Sequence, residues 1–421
     1  MEFNRNALLL IVLLFWGCSV SRTASDSRSE DIQLLTSTLP QRHANLFHQL
    51  PAEEFSAEMN QLLSRVDSLT DAEMALELAR ILARIGDGHT QLNLGQAGTG
   101  FRLLPVVLGR FEDGLFILMA APEHADLLGA KVLKFGDLPA EDALEQVARY
   151  ISGDNEMSAL HFGPSRLTMV EMLAALGAAP SDGPVSLDLM TPDGTRKVHQ
   201  VAPMALSSYQ EIAWKSIERK STPSTAAAQE NYSYRFLDSD RVLYIQYVQC
   251  KNQEGLPLKK FAAQLWKQLQ AKKPQAVVVD IRSNGGGDQT LNRHLISPLK
   301  RYQETQEVQV FGLIGRGTFS AAIEFAIQME RSLNATFVGE PTRGKPNHYG
   351  ESEDLELPYS GLSIGYSAKF YQLSDVQDER PWIPPDIPVG TSFEDYIAGR
   401  DPALDTVLKM ARPTTLEDDR S

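Results

Sequence analysis

Apolar residues recur at helical intervals from residue 31 to about 85: Leu46, Phe47 and Leu50, then Phe55, Met59, Leu62, Leu63 and Val66, then Met74, Leu76, Leu78, Ala79 and Leu82. Spacings of three and four predict several short helices, each with one buried stripe. Beyond Phe101 the period changes. As far as Met204, strand-like runs at 103–108, 115–119, 131–135 and 185–190 alternate with helical runs at 140–151 and 169–176. Asp113-Gly114, Asp182-Gly183 and Asp193-Gly194 mark turns between them, so this middle segment is mixed α/β. The low-complexity run 221–228 reads as a loop or linker. After it the pattern becomes orderly: strand 241–248, helix 258–271, strand 276–281, helix 290–299, strand 308–314, helix 320–331, strand 336–338. Such alternation predicts a largely parallel sheet covered by helices, with ligand sites outside the carboxyl ends of its strands.

The 421 residues fit two or three domains. We expect a helical region at 31–98, a middle α/β module at 99–210, a second α/β domain at 211–395 and a C-terminal tail at 396–421. Ahead of these, residues 1–18 have a short polar start with Arg5, about ten apolar residues and then small ones. That is the layout of a signal peptide, too short to span a bilayer comfortably. Leu14-Phe15-Trp16-Gly17-Cys18 followed by Ser19 loosely resembles a bacterial lipoprotein cleavage box. Lipidation of Cys18 and ordinary cleavage both stay open, with 19–30 as a polar tether. We therefore expect an exported protein, periplasmic, membrane-anchored through Cys18, or secreted.

Composition narrows the chemistry. Apolar residues make up 43% and charged ones 22%, an ordinary globular mix. Formal charge is −14, from 54 acidic against 40 basic residues, and no Lys/Arg cluster could track a phosphate backbone, which argues against nucleic acid. Cys250 is the one cysteine besides Cys18, so no intrachain disulfide forms once Cys18 is removed or acylated. The same count excludes a cysteine-based metal site; we expect no metal and no cofactor.

Two strand ends carry unusual residues. Asp280-Ile281-Arg282-Ser283-Asn284-Gly285-Gly286-Gly287-Asp288 runs from a buried-looking strand into three glycines. Glycines let backbone N–H groups approach a bound oxygen, as an oxyanion hole or phosphate cradle requires. A phosphate loop fits poorly, since no Gly-Lys-Ser/Thr ending follows and Asp288 would repel a phosphate. The second end, Gly315-Arg316-Gly317-Thr318-Phe319-Ser320-Ala321-Ala322, places Ser320 near the first turn of a helix, where the Ala321 amide could stabilise an oxyanion. Taken alone, Ser320 reads as a helix N-cap. A nucleophile also needs a base, and two are available. His89 is presented from a loop in Gly86-Asp87-Gly88-His89-Thr90, and Lys345 lies at a glycine turn in Arg343-Gly344-Lys345-Pro346.

Asp280-Ile-Arg-Ser-Asn-Gly-Gly-Gly287, Thr318-Phe-Ser320-Ala-Ala and Gly339-Glu-Pro-Thr-x-Gly-Lys345, in this order, resemble the carboxyl-terminal processing (tail-specific) serine peptidases. The chain is similar above all to the branch of the tricorn core protease and the interphotoreceptor retinoid-binding protein repeats. The resemblance covers Tyr234 to about Ile387 and extends upstream to Asp87-Gly-His-Thr90. It implies a crotonase-like (ClpP/crotonase) α/β catalytic domain over 211–395, with Ser320 as nucleophile. It also implies Gly285, Gly286 and Ala321 around the oxyanion and substrate, with the amides of Gly286 and Ala321 as donors. In the processing branch the base is a lysine, for which Lys345 stands 25 residues beyond Ser320; in the tricorn-like branch it is a histidine, here His89. The resemblance favours His89 and leaves Lys345 as the alternative, with the orienting acid among Asp375, Asp378 and Glu379. Glu340 and His348 are candidates to line the site.

The stretch 126–144 faintly resembles the PDZ fold these proteases often carry, without its usual glycine-leucine-glycine-phenylalanine loop. We expect a degenerate or unrelated module there. The whole reads as an exported hydrolase cutting peptides or unfolded chains through an acyl-enzyme on Ser320, of unknown oligomeric state. A catalytically silent scaffold binding a peptide or lipid is the alternative.

Overall fold

The structure is a computed structural model and describes residues 27–95, 99–209, 211–223, 230–239 and 241–411. The segment expected to be a signal peptide at 1–18, with Cys18, the expected tether as far as residue 26, most of the 221–228 run and the last ten residues lie outside the described residues.

A six-stranded sheet organises the second half. Its order is Tyr232–Leu237, Val242–Tyr247, Ala276–Asp280, Gln309–Ile314, Thr336–Gly339 and Ile387–Pro388. The first pair is antiparallel and every later pair parallel. The strands are apolar on both faces, as strands sandwiched between helices must be. Leu243, Ile245, Val277 and Val279 face helices Leu258–Lys272, Arg293–Thr305 and Ala321–Leu333. The alternate residues Val242, Tyr244, Val278, Phe311 and Leu313 pack instead with Ala403, Leu404 and Val407. Those last residues belong to helix Pro402–Met410, so the segment expected as a tail is structural from 402 to 410. The strongly apolar sheet face left open by the other helices gives the physical reason.

The first half packs around one further core. Helices Ala52–Leu63 and Asp71–Ala83 bury the two later stripes and Arg28–Arg42 adds Ile32, Leu35 and Leu39, the helix from Asp71 opening with a reciprocal cap in which Thr70 and Glu73 exchange hydrogen bonds; Leu46, Phe47 and Leu50, expected in a helix, lie in turns, with Phe47 exposed. An antiparallel sheet built on Val106–Phe111, Gly114–Ala120, Lys131–Phe135, Val185–Met190 and Arg196–Val201 carries the middle module. No helix among the described residues is long and apolar enough to cross a membrane.

A long hairpin, Asn347–Glu356 with Ser363–Gln372, joins the two halves. It leaves the sheet domain and inserts Leu355, Leu362, Ile364 and Tyr366 into the core of the N-terminal helices. Residues Gln91–Leu92 pair along its edge, Gln91 opposite Gly365 and Leu92 opposite Ile364. That short pairing carries the loop 86–90 against the sheet domain.

Candidate active site

The parallel strands Ala276–Asp280 and Gln309–Ile314 end side by side, and each runs into a glycine-containing turn. Polar ties fix the first turn. Asp280 and Asp401 both grip the Arg282 guanidinium at 2.6–3.0 Å, and the Tyr244 hydroxyl donates to Asp280 at 2.6 Å. Asn284 spans to the Tyr247 carbonyl through Nδ2 and accepts from the Gly286 amide through Oδ1 at 2.9 Å. The Gly286 donor expected for an oxyanion is therefore already engaged within the turn. Gly287 takes its place in the cleft. The carbonyl before it accepts from the Cys250 amide and the amide after it donates to the Cys250 carbonyl, so the N–H of Gly287 itself points away from Cys250. Its φ of +129° and a Cβ position 2.4 Å from the Cys250 oxygen require glycine. Gly285 lines a different cavity.

The second turn holds Ser320 in a conformation that L-residues avoid, φ 54° and ψ −126°. Such a backbone costs of the order of 1–3 kcal/mol and persists only where its surroundings over-determine it. Here Phe319 N–H donates to Asn284, Thr318 Oγ1 donates to the Ile281 carbonyl, and the Thr318 carbonyl accepts from Arg343. Ser320 stands at the N-cap of Ala321–Leu333 but makes no capping hydrogen bond. Its hydroxyl is left for another partner, and the Ala321 amide beside it has no acceptor within the helix. Gly286 closes the back of the turn, where an added Cβ would lie 2.6 Å from Ser320 Cβ.

His89 supplies the partner: its Nε2 lies 3.0 Å from Ser320 Oγ. The imidazole is 9% exposed, stacks on Phe319 at 4.4 Å and lies parallel to His348 at 5.8 Å. Burial disfavours its protonated form. Asp154 and Asp87 oppose that effect and His348 and Arg343 add to it, leaving the pKa below the usual 6.5. His89 Nδ1 has no hydrogen-bond partner among the described residues, and Asp87 Oδ1 lies 3.9 Å away. The Asp87 carboxylate accepts from the His89 amide, from Thr90 Oγ1 and from His43 Nε2. Burial alone would raise its pKa, but these donors and Ser367 outweigh it and hold the group at about 2. Asp87 thus positions His89 through the main chain.

The acids expected to orient His89 lie elsewhere. The Asp378 carboxylate is committed to Arg380, at 2.7 Å at its closest, and Glu379 is exposed. Asp375 is exposed as well. None of the three makes a hydrogen bond or ion pair with His89 among the described residues. Their place in the sequence gave no measure of the strong pull of the neighbouring Arg380. Asp154, which sequence reasoning missed, accepts from the amides of Gly88 and Lys345 at 2.9 and 3.4 Å. It stands in a Gly153-Asp154-Asn155 loop with no periodicity or motif to mark it. Lys345 contributes its backbone, since its carbonyl also takes His348 Nδ1 at 3.1 Å. Its side chain makes no bond to Ser320 among the described residues.

Ser320, Ala321, Gly287, His89 and His348 line one cleft of about 500 Å³ together with Tyr371. Glu340 lies on the other side of the two turns, beside Arg316. A serine hydroxyl hydrogen-bonded to a neutral imidazole, next to the Ala321 N–H at a helix start and the Gly287 N–H of the neighbouring turn, can attack an acyl carbon and hold the resulting oxyanion.

No family model matches the sequence, and no curated protein matches it. Solved structures do. Mature CPAF complexed with lactacystin superposes with a TM-score of 0.60 at 12% identity, covering 91% of this chain and 97% of that one. Mature CPAF alone gives 0.58 at 12% identity, over 91% and 96%. The photosystem II D1 C-terminal processing protease gives 0.40 at 13%, over 87% and 94%. The chain therefore has the mixed α/β fold of CPAF over nearly its whole length.

Proposed function

We propose that the protein is an exported serine peptidase with a crotonase-like catalytic domain. It would hydrolyse peptides or unfolded chains without metal or cofactor. The observation that carries this reading is the 3.0 Å approach of His89 Nε2 to a Ser320 hydroxyl held in a strained backbone. Ser320 Oγ attacks the scissile carbonyl while His89 Nε2 takes its proton; the amides of Gly287 and Ala321 receive the oxyanion. Collapse of the tetrahedral adduct expels the amine, which leaves with the proton from His89. Water, deprotonated by the same imidazole, then releases the acid and regenerates Ser320. Lowered basicity keeps His89 neutral and ready at neutral pH. The resemblance of the three linked motifs supports the same reaction class, and the layout of residues 1–18 supports export. The catalytic domain in this reading runs from about 211 to 411, because helix Pro402–Met410 completes its sheet.

Digestion of an unstructured protein such as casein tests the reading. Wild type should release peptides, with or without a metal chelator, and Ser320→Ala should release none. Equal release by the two proteins would remove Ser320 from the chemistry.

A further inference from the structure

Charge is spread unevenly over the surface. The chain carries a formal charge of −14, yet helices Leu258–Lys272 and Arg293–Thr305, with the Lys273 that caps the first, hold eight basic residues and one acidic residue, Glu304. Both helices spend their apolar side on the sheet, through Leu258, Phe261 and Leu265 in one and Leu295, Ile296 and Leu299 in the other. The charges therefore fall on the outer side. Lys259, Lys260, Lys267, Lys273, Arg293 and Lys300 are all exposed, and none of the six has an ion pair among the described residues. The two helices make one face of them. Arg301 stacks on Trp266, its Cζ 4.4 Å from the ring, and burial, then Arg293 and Lys259, lower the His294 pKa, so Lys259 stands near the start of the second helix.

Cations spaced in this way do not share one small anion. From Lys259 to Lys272 the first helix alone rises about 20 Å, so a partner must present negative charge over a comparable area. Acidic residues on other sides of the molecule are screened beyond about 8 Å in physiological salt, and the local sign governs what approaches this face. Trp266, half-buried under Arg301, adds an indole with one polar edge, a side chain suited to the boundary between water and acyl chains. A nucleic-acid strand would instead stack a base on such a ring, where Arg301 already sits. A planar anionic surface meets the spacing, the sign and the indole together. The face also adjoins the candidate active site: Gln289 and Thr290, just ahead of Arg293, line the cleft that holds Ser320.

We propose that this two-helix face docks the protein on a membrane surface rich in anionic phospholipid, whose headgroup phosphates meet the lysine and arginine side chains. The proposal is independent of the peptidase reading. Vesicle cosedimentation tests it on the full chain carrying Cys18→Ser, so that an acyl anchor at that position contributes nothing. Phosphatidylcholine vesicles with about 30% phosphatidylglycerol are compared with phosphatidylcholine alone. Binding should be confined to the anionic vesicles and should weaken steeply as salt is raised to about 0.5 M. Each Lys or Arg near such a surface adds about fivefold to binding, so Lys259→Gln, Lys267→Gln and Lys300→Gln together should lose about 10²-fold. Removing the same charge through Lys215→Gln, Lys220→Gln and Lys409→Gln, exposed lysines elsewhere, should cost less than about threefold. Circular dichroism melts confirm that both triple variants fold. Equal binding to neutral vesicles, no binding at millimolar lipid, equal losses in the two triple variants, or stronger binding to duplex DNA or polyglutamate than to the anionic vesicles would overturn the docking face.

Discussion

Two histidines flank Asp87 and meet opposite fates. His43 is fully buried with both ring nitrogens engaged: Nδ1 accepts from the Asn45 amide at 2.9 Å, so Nε2 carries the proton and donates to Asp87 at 3.0 Å. Its tautomer is fixed and nothing is left to react. His89 is nearly as buried, yet it has one nitrogen on a serine hydroxyl and the other without a partner among the described residues. Burial is common to both; what separates a structural histidine from a candidate base is the unspent hydrogen-bonding capacity.

The largest expected effect breaks the pair apart. His89→Ala should lower kcat/KM by about 10³-fold, within the range for loss of a general base, with little change in thermal stability. Gly286→Ala comes next. The new Cβ meets Ser320 Cβ and the Ala321 amide, at a φ of +105°, so the nucleophile must shift. A displacement near 1 Å loses about 10²-fold in rate, measurable on any peptide substrate. His43→Ala reverses the first pattern: it strips a donor from a buried carboxylate and should lower stability by about 1.5–3 kcal/mol in urea unfolding. Activity per folded molecule should stay within about tenfold of wild type, since Asp87 keeps Thr90 and the His89 amide.

A pH profile sharpens the comparison further. Burial lowers the His89 pKa below 6.5, and the base works only when neutral, so activity is lost on acidification only below that value. The acid limb of kcat/KM should therefore have its midpoint below pH 6.5, and a midpoint above it would contradict the buried setting. The smallest effect belongs to Lys345→Ala, which removes a side chain with no bond to Ser320; less than about threefold in kcat/KM is expected.

The catalytic sheet was legible because its buried strands and amphipathic helices carry their period openly. Predicted strand 276–281 and helix 258–271 match Ala276–Asp280 and Leu258–Lys272 almost to the residue. The hairpin Asn347–Glu356 and Ser363–Gln372 was not, since Glu351, Ser352, Glu353 and Asp354 are exposed in succession and show no alternation. That hairpin brings residue 89 to residue 320, so the meeting of the two could be named from motifs but not explained from local pattern. Helix Pro402–Met410 was lost for a similar reason: its apolar stripe answers a sheet face made by strands that lie far back in the chain, from Val242 to Val338. Glycine turns announce themselves, but which glycine has a free amide depends on Asn284, a side-chain bond that spacing does not encode.

The most direct test of the account is the rate at which a fluorophosphonate probe labels Ser320, followed by mass spectrometry in wild type, His89→Ala and Lys345→Ala. Rapid labelling in wild type and Lys345→Ala, with a loss of at least about 10²-fold in His89→Ala, is the predicted result. Undiminished labelling in His89→Ala, with loss in Lys345→Ala instead, would contradict it.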